Sequence, residues 1–347
     1  MRLKVNGRMK RTSALFLAMI IAIIGGMNRQ EIHAQSRVAT TAAQFLGIGI
    51  GPRAVAMGGA QIASRPDVMS LYWNPAGIAR NDGLQIGSVH SVWLAGTSIN
   101  WAGLTAKTGF GTFGIGATLL SSGDIERTTE AQPDGTGEFF STNDLAIQFS
   151  YAVSLTDQFS IGGSLKFINQ SIWRASAQGV ALDLGLLYNI EDRLRVAATM
   201  YNFGTQMAMS GNGLLITASS GTGAAGENNG IPAMLGTESW NLPLVFKIGL
   251  SYDLIKDNEN LLIIALDGVA PNDNDSYFNL GAEYGWHDLL YFRVGYNTLF
   301  LNEAETGLAF GLGVKYMLAG LNFRFDYSYQ TFGRLSAPQW LSLSLQF

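Results

Sequence analysis

From residue 83 to the C-terminus, apolar and polar side chains alternate with a period of two. The clearest run is Leu321-Asn322-Phe323-Arg324-Phe325-Asp326-Tyr327-Ser328-Tyr329-Gln330. Successive side chains of a strand point to opposite faces, so one face here is apolar and aromatic and the other polar. The same reading holds for Leu308 to Tyr316, for Leu244 to Tyr252 and for Leu341 to Phe347. Such segments, roughly ten residues long, suit a tilted membrane-spanning strand. Their second face is rich in Gly and Ser, which fits a lumen better than the crowded core of a soluble sandwich.

The alternation predicts fourteen strands, at 83–93, 97–107, 110–121, 143–154, 159–170, 178–189, 193–202, 243–254, 260–269, 276–285, 289–298, 306–317, 320–330 and 338–347. An even count is the rule for bacterial single-chain barrels, which join their strands by short periplasmic turns and longer external loops. The connections alternate accordingly. Thr108-Gly109, Ile190 to Asp192 and Leu318-Ala319 are short, whereas 122–142 and 203–242 are long. Phe347 is then the periplasmic end of a last strand that pairs with the first near Gly83.

Composition narrows the alternatives. Of 347 residues 47% are hydrophobic and only 14% charged, against about 25% charged in soluble domains. Beyond the first thirty residues no apolar run is long enough for a spanning helix, and only helices and closed barrels satisfy the backbone in lipid. A net charge of −4 gives no reason to expect nucleic acid. The absence of Cys excludes disulfides, thiolate metal sites and a lipidated N-terminal Cys.

The N-terminus reads as an export signal. Arg2, Lys4, Arg8, Lys10 and Arg11 precede an apolar stretch from Ala14 to Ile24, and His33-Ala34 offers a small residue for cleavage. Residues 35–82 lack the period of two and are rich in Ala and Gly, which predicts short helices and turns. Pro52 suits a first helical turn and Gly58-Gly59 a stop. The expected organisation is a signal over 1–34, a small segment over 35–82 and a barrel over 83–347.

Motifs for enzymatic chemistry are weak. Gly109-Phe110-Gly111-Thr112-Phe113-Gly114 fits a dinucleotide fingerprint but opens a strand, where such a loop needs a helix. Asn272-Asp273-Asn274-Asp275 resembles the start of a calcium loop without its Gly and distal Glu. Beyond the signal only His90 and His287 remain, in no triad order or metal-binding spacing. No enzyme, cofactor or metal is expected. By parity Lys166, Arg195, Lys247, Arg293, Lys315 and Arg324 face the lumen together with Asp183, Asp253, Asp267, Glu283 and Asp326. Such balanced signs either hold an internal plug by ion pairs or solvate a wet lumen. In the loop 203–242, Met234, Leu235 and Trp240 form an apolar cluster that folds back on the barrel mouth or meets a partner or apolar ligand.

The N-terminal segment carries a family resemblance. Tyr72-Trp73-Asn74-Pro75-Ala76-Gly77, after Gly51-Pro52-Arg53-Ala54-Val55-Ala56-Met57-Gly58-Gly59-Ala60 and Asp67, resembles the PorV/PorQ family, relatives of the FadL long-chain fatty-acid transporters. The resemblance implies an all-β, fourteen-stranded antiparallel barrel of the bacterial outer membrane, plugged by a small helical and irregular hatch. Arg53, Met57, Gly58, Gly59, Asn74, Pro75, Ala76 and Gly77 would be hatch residues. Arg53 is a candidate to pair with a lumen carboxylate such as Asp326 or Glu283. The family further implies service in type IX secretion, in a PorV-like or PorQ-like role, with the translocon and C-terminal-domain cargo as partners. A FadL-like transporter of fatty acids or other hydrophobic molecules is the alternative.

Overall fold

A computed structural model describes residues 40–218 and 230–347. The expected signal at 1–34, the residues up to 39, and residues 219–229 of the long loop lie outside the described residues.

Among the described residues fourteen antiparallel strands close into a barrel, each bonded to its sequence neighbours. They are β1 Leu84–Val92, β2 Ser98–Thr108, β3 Gly111–Ser121, β4 Thr142–Ser154, β5 Phe159–Ile172, β6 Ala175–Glu191 and β7 Leu194–Gly204. The second half comprises β8 Val245–Lys256, β9 Asn260–Pro271, β10 Tyr277–Trp286, β11 Leu290–Leu299, β12 Thr306–Leu318, β13 Leu321–Phe332 and β14 Gln339–Gln346. The fourteen strands read from the alternation are all present, with ends shifted by a few residues. Closure runs from Gln85 opposite Gln346 to Val92 opposite Gln339. The Phe347 N–H then donates to the Leu84 carbonyl at 2.9 Å, so the terminal aromatic residue closes the seam. Two small hairpins rise from the long external loops, Ile125–Glu126 with Phe139–Phe140 and Leu215–Ala218 with Ile231–Met234.

The outward positions carry the large apolar side chains, among them Phe292, Phe310, Leu312 and Phe325. The inward positions do not line an empty channel. Residues from Gln44 to Arg80 pack inside the barrel as short pieces: a 3-10 turn Gln44–Gly47, α1 Pro52–Ala56, α2 Ser70–Trp73 and a second 3-10 stretch Pro75–Arg80. α1 begins with Pro52, whose missing N–H costs nothing in a first turn. It stops where Gly58 and Gly59 take φ of 65° and 83°, a region open to Gly and strained for other residues.

The interior is divided into sectors. Ile50, Val68, Leu71, Trp73 and Ile78 of the inner segment pack on Val89, Ile99, Trp101 and Trp340 from β1, β2 and β14. Full burial of such side chains stabilises by about 1.5–3 kcal/mol each. Parity alone gave a largely polar lumen; this apolar sector is the difference, and it exists because the inner segment supplies the other half of its core. The wall from β5 to β13 carries the charges.

Candidate functional site

The inner segment is tied to the wall by named polar groups. Arg53, buried in α1, donates to Glu283 of β10 through Nε to Oε2 at 2.9 Å and Nη2 to Oε1 at 2.8 Å. Its Nη1 reaches Asp67 at 2.9 Å and the Arg65 carbonyl at 2.8 Å. Arg293 of β11 donates to the same Glu283 at 2.6 Å and bridges to Asp326 at 2.8 Å. Arg324 lies 3.0 Å from Asp326 and 3.6 Å from Glu283. Burial would lower the pKa of Arg53, but the charges of Glu283 and then Asp67 outweigh it and hold the group above its usual value. Of the two carboxylates open to Arg53 by parity, it therefore takes Glu283, while Asp326 serves the wall arginines.

A second cluster holds the next stretch. Arg65 and Arg195 share Asp253 of β8 at 2.8 and 2.6 Å. Asp267 of β9 accepts the N–H groups of Gln61 and Ile62 at 2.9 and 3.1 Å. Asn74 is a hook. Its Nδ2 donates to the carbonyls of Ile62 at 2.9 Å and of Leu186 in β6 at 3.2 Å, while its Oδ1 accepts the Ala76 N–H at 3.0 Å. Three of that amide's four hydrogen-bonding positions are thus used, and Pro75 can follow because it needs no partner for a donor it lacks. At the exit Arg80 donates to Ser160 at 2.7 Å and to the Asp157 carbonyl at 2.6 Å.

Small residues of the wall let the inner backbone lie directly on it. A Cβ on Gly295 would stand 2.1 Å from the Gly58 nitrogen, and one on Gly185 would stand 2.2 Å from Asn74 Oδ1. The inward glycines are therefore close-approach sites, where sequence alone reads them as lining a lumen. Met57, buried at 1% exposure, sits against this wall, and a Cβ on Gly77 would stand 2.8 Å from Ser70 Cβ.

Above the inner segment, toward the end bearing the long loops, lies a cavity of about 380 Å³. In bacterial barrels that end is extracellular. Trp73 and Tyr72 form its base, Lys166, Tyr201 and Lys247 its wall, and Asn202, Asn297 and Thr298 contribute polar groups. Lys166 is neutralised by Asp183 at 2.7 Å. Lys247 is different: among the described residues no carboxylate lies within salt-bridge distance, and its ammonium rests 4.6 Å from the Trp73 ring centre and 5.4 Å from that of Tyr201. The Tyr201 hydroxyl in turn donates to the Trp73 carbonyl. Parity finds Lys247 on the inner face, but nothing in its neighbours in sequence shows that it forms no ion pair; the countercharge that acts on it, Asp267 of β9, does so from beyond ion-pair distance. A separate cavity of about 190 Å³ lies at the periplasmic end around Arg65, Lys315 and Arg324, and it shares no residue with the upper one.

The remaining sequence candidates are scattered. Met234, Leu235 and Trp240 are exposed, whereas Met207 and Leu242 from the same loop are buried with Phe45 and Leu46. A two-way backbone bridge, 2.9 Å in each direction, joins Met207 to Trp240 at the neck of the loop. Gly111 and Gly114 belong to β3 and no helix follows them. Asp273 accepts from Thr41 and Gln44 at 2.9 and 3.0 Å. His90 faces outward and contacts Asn100 at 2.8 Å, and His287 stacks on Trp286 in a periplasmic turn.

Comparison with known proteins agrees with this geometry. Residues 31–187 match the family model described as Type IX secretion system protein PorV. The barrel is similar in fold to the Ralstonia pickettii toluene transporter TbuX, at 16% identity and a TM-score of 0.56 over 86% of this chain and 98% of that one. Residues 31–187 thus resemble PorV, and the barrel as a whole shares its fold with that transporter. The CymD monoaromatic hydrocarbon channel is similar at 16% identity and a TM-score of 0.55, covering 86% and 96%. The Pseudomonas putida toluene transporter TodX gives 15% and 0.54, covering 86% and 97%. No curated protein matches this chain in sequence. Its closed barrel with an apolar outer face places it in the outer membrane.

Proposed function

We propose that this PorV-like barrel is an outer-membrane component of type IX secretion that holds C-terminal-domain cargo and the translocon at its extracellular face. The observation that carries the reading is the upper cavity: it ends on the hatch, and it presents Lys247 on aromatic rings, outside any ion pair among the described residues. A conduit needs a path, but here buried ion pairs and hydrogen bonds fasten the hatch to β5, β6 and β8 to β10. A cation at the base of a mouth lined by amide side chains suits an acidic group on a polypeptide, whose backbone the Asn and Thr side chains can meet. In this reading residues 1–34 are a cleaved export signal, 35–82 the hatch and 83–347 the barrel. Arg53, Met57, Gly58, Gly59 and Asn74 to Gly77 keep the hatch closed, and Met234, Leu235 and Trp240 are exposed for a partner.

The aromatic part of the same cavity, with Trp73, Trp93 and Phe332, favours the second reading, uptake of hydrophobic small molecules. Affinity purification of the full chain from its native outer membrane separates the two. Co-purified translocon or C-terminal-domain proteins, identified by mass spectrometry, are the expected result. Their absence, together with uptake of labelled fatty acid by proteoliposomes, overturns the secretion reading.

A further inference from the structure

We infer that the outer wall of β1 and β2 is a docking surface, within the membrane, for a different membrane-spanning protein. Over the middle of the other strands the outward positions are apolar or glycine, as in Phe292, Phe310, Leu312 and Val314. β1 and β2 break the rule with Ser88, His90 and Asn100, whose neighbours inward are Val89, Ser91, Ile99 and Trp101.

Their depth follows from their place along the strand. β1 rises from Leu84, beside the seam with Phe347, to Val92, beside the external turn. At about 3.4 Å per residue and a tilt of about 40°, the strand spans roughly 21 Å and His90 stands roughly 16 Å above Leu84, inside an apolar band about 25 Å tall. Polar side chains at that depth are costly in lipid and mark function.

The patch is also concave. Ser88, Ala102 and Ala117 stand in one row across β1, β2 and β3. These small side chains floor a groove of about 510 Å³ between Leu119 on one side and Phe325 and Leu341 on the other. His90 Nδ1 meets Asn100 Oδ1 at 2.8 Å. An amide oxygen can only accept, so Nδ1 donates, leaving His90 Nε2 as an acceptor and the Asn100 NH₂ as a donor. Neither has a further partner among the described residues.

These features select the occupant. Acyl chains fill a groove but offer no hydrogen bond, and headgroups lie well above. A second copy in symmetric contact would bring groove against groove, and its other walls hold no polar side chain at mid-depth. What fits is the outer face of a different protein, with a bulky apolar side chain to fill the row over Ala102 and a hydroxyl or amide group beside it. The way in is low, because β1 and β2 are joined over the outside only by the short turn Leu94–Gly96. The inference stands whether or not the secretion reading holds.

The test uses full-length protein in its native outer membrane with a photo-crosslinking phenylalanine analogue at Ser88 or at Ala117, and at Phe292 on another wall as control. Illumination is expected to give one discrete adduct from each groove position and none from Phe292. Mass spectrometry should identify a different membrane protein in it. The double variant Ala102→Trp, His90→Leu fills the groove and removes its polarity. It is expected to fold, by heat-modifiable migration, and to reduce the adduct at least tenfold. No adduct, an adduct of lipid or of this chain alone, or an adduct indifferent to the double variant overturns the inference. Whether the captured protein belongs to a secretion machine bears only on the proposed function.

Discussion

Arg53 and Glu283 meet through two parallel contacts, Nε to Oε2 at 2.9 Å and Nη2 to Oε1 at 2.8 Å. The first belongs to the hatch and the second to the barrel wall, so this pair is the main charge link between them. Glu283 also serves Arg293, at 2.6 Å. Removing its charge therefore takes a carboxylate from two buried guanidinium groups at once, leaving Arg53 with Asp67 and Arg293 with Asp326. Loss of one partner from a buried pair costs about 3–5 kcal/mol. Glu283→Gln, which keeps the shape, is expected to lower the temperature of heat-modifiable migration and to expose sites within 40–82 to protease. Arg53→Met should have a milder effect, since Arg293 and Arg324 still balance the carboxylate. Equal protease resistance in the variants and the native chain would mean that packing alone holds the hatch.

Close approach gives a second prediction. Gly295→Ala puts a Cβ into the Gly58 backbone, and Gly185→Ala puts one into the Asn74 amide. Overpacking of this kind costs about 1–3 kcal/mol, and backbone cannot step aside as a flexible side chain can. Both variants should loosen the hatch in the protease assay. Gly163→Ala is the control: it sits on β5 facing out, with its nearest neighbours at 3.5 Å, and should behave as the native chain.

The strands are legible in the sequence because lipid outside and packing inside impose opposite demands on alternate residues. Leu308 to Tyr316 can be read in no other register. How the hatch is fastened is not legible to the same degree. Glu283 and Asp326 share the inward parity, and the choice between them depends on height along tilted strands. The glycines mislead for a similar reason, since Gly295 looks the same whether it borders water or Gly58. Lys247 is visible as inward but not as left out of an ion pair, which depends on Asp267 turning to the Gln61 and Ile62 N–H groups instead. His90 and Asn100 are legible as outward, and only the pairing of β1 with β2 shows that their side chains meet.

If the upper cavity receives an acidic group, Lys247 is its anchor. A hydrogen bond to a charged group contributes about 1.5–3 kcal/mol, so Lys247→Met should weaken binding of a purified C-terminal cargo domain by roughly 10- to 100-fold. Lys247→Glu should weaken it further by repulsion. Isothermal titration calorimetry on the detergent-solubilised barrel measures both. Added salt should matter less than for an exposed pair, because the site is recessed. Unchanged affinity in Lys247→Glu would place the cargo elsewhere.

The long external loop separates into a neck and a tip. The neck is fixed, with Met207 and Leu242 in the core and the Met207–Trp240 bridge across it. The tip, from Asn212 through Leu235, carries exposed Leu215, Ile216, Met234 and Leu235, and its hairpin is closed by the Leu235 N–H on the Leu214 carbonyl at 2.9 Å. Replacing 212–235 with a short Gly-Ser linker thus leaves the core contacts of the neck in place. Heat-modifiable migration is expected to be unchanged. Because an exposed apolar cluster is a binding surface in need of cover, recovery of partner proteins from the native membrane should fall at least tenfold. The single variant Trp240→Ser keeps the backbone bridge and should cause a smaller loss. Full recovery with the linker in place would show that partners engage the barrel without this tip.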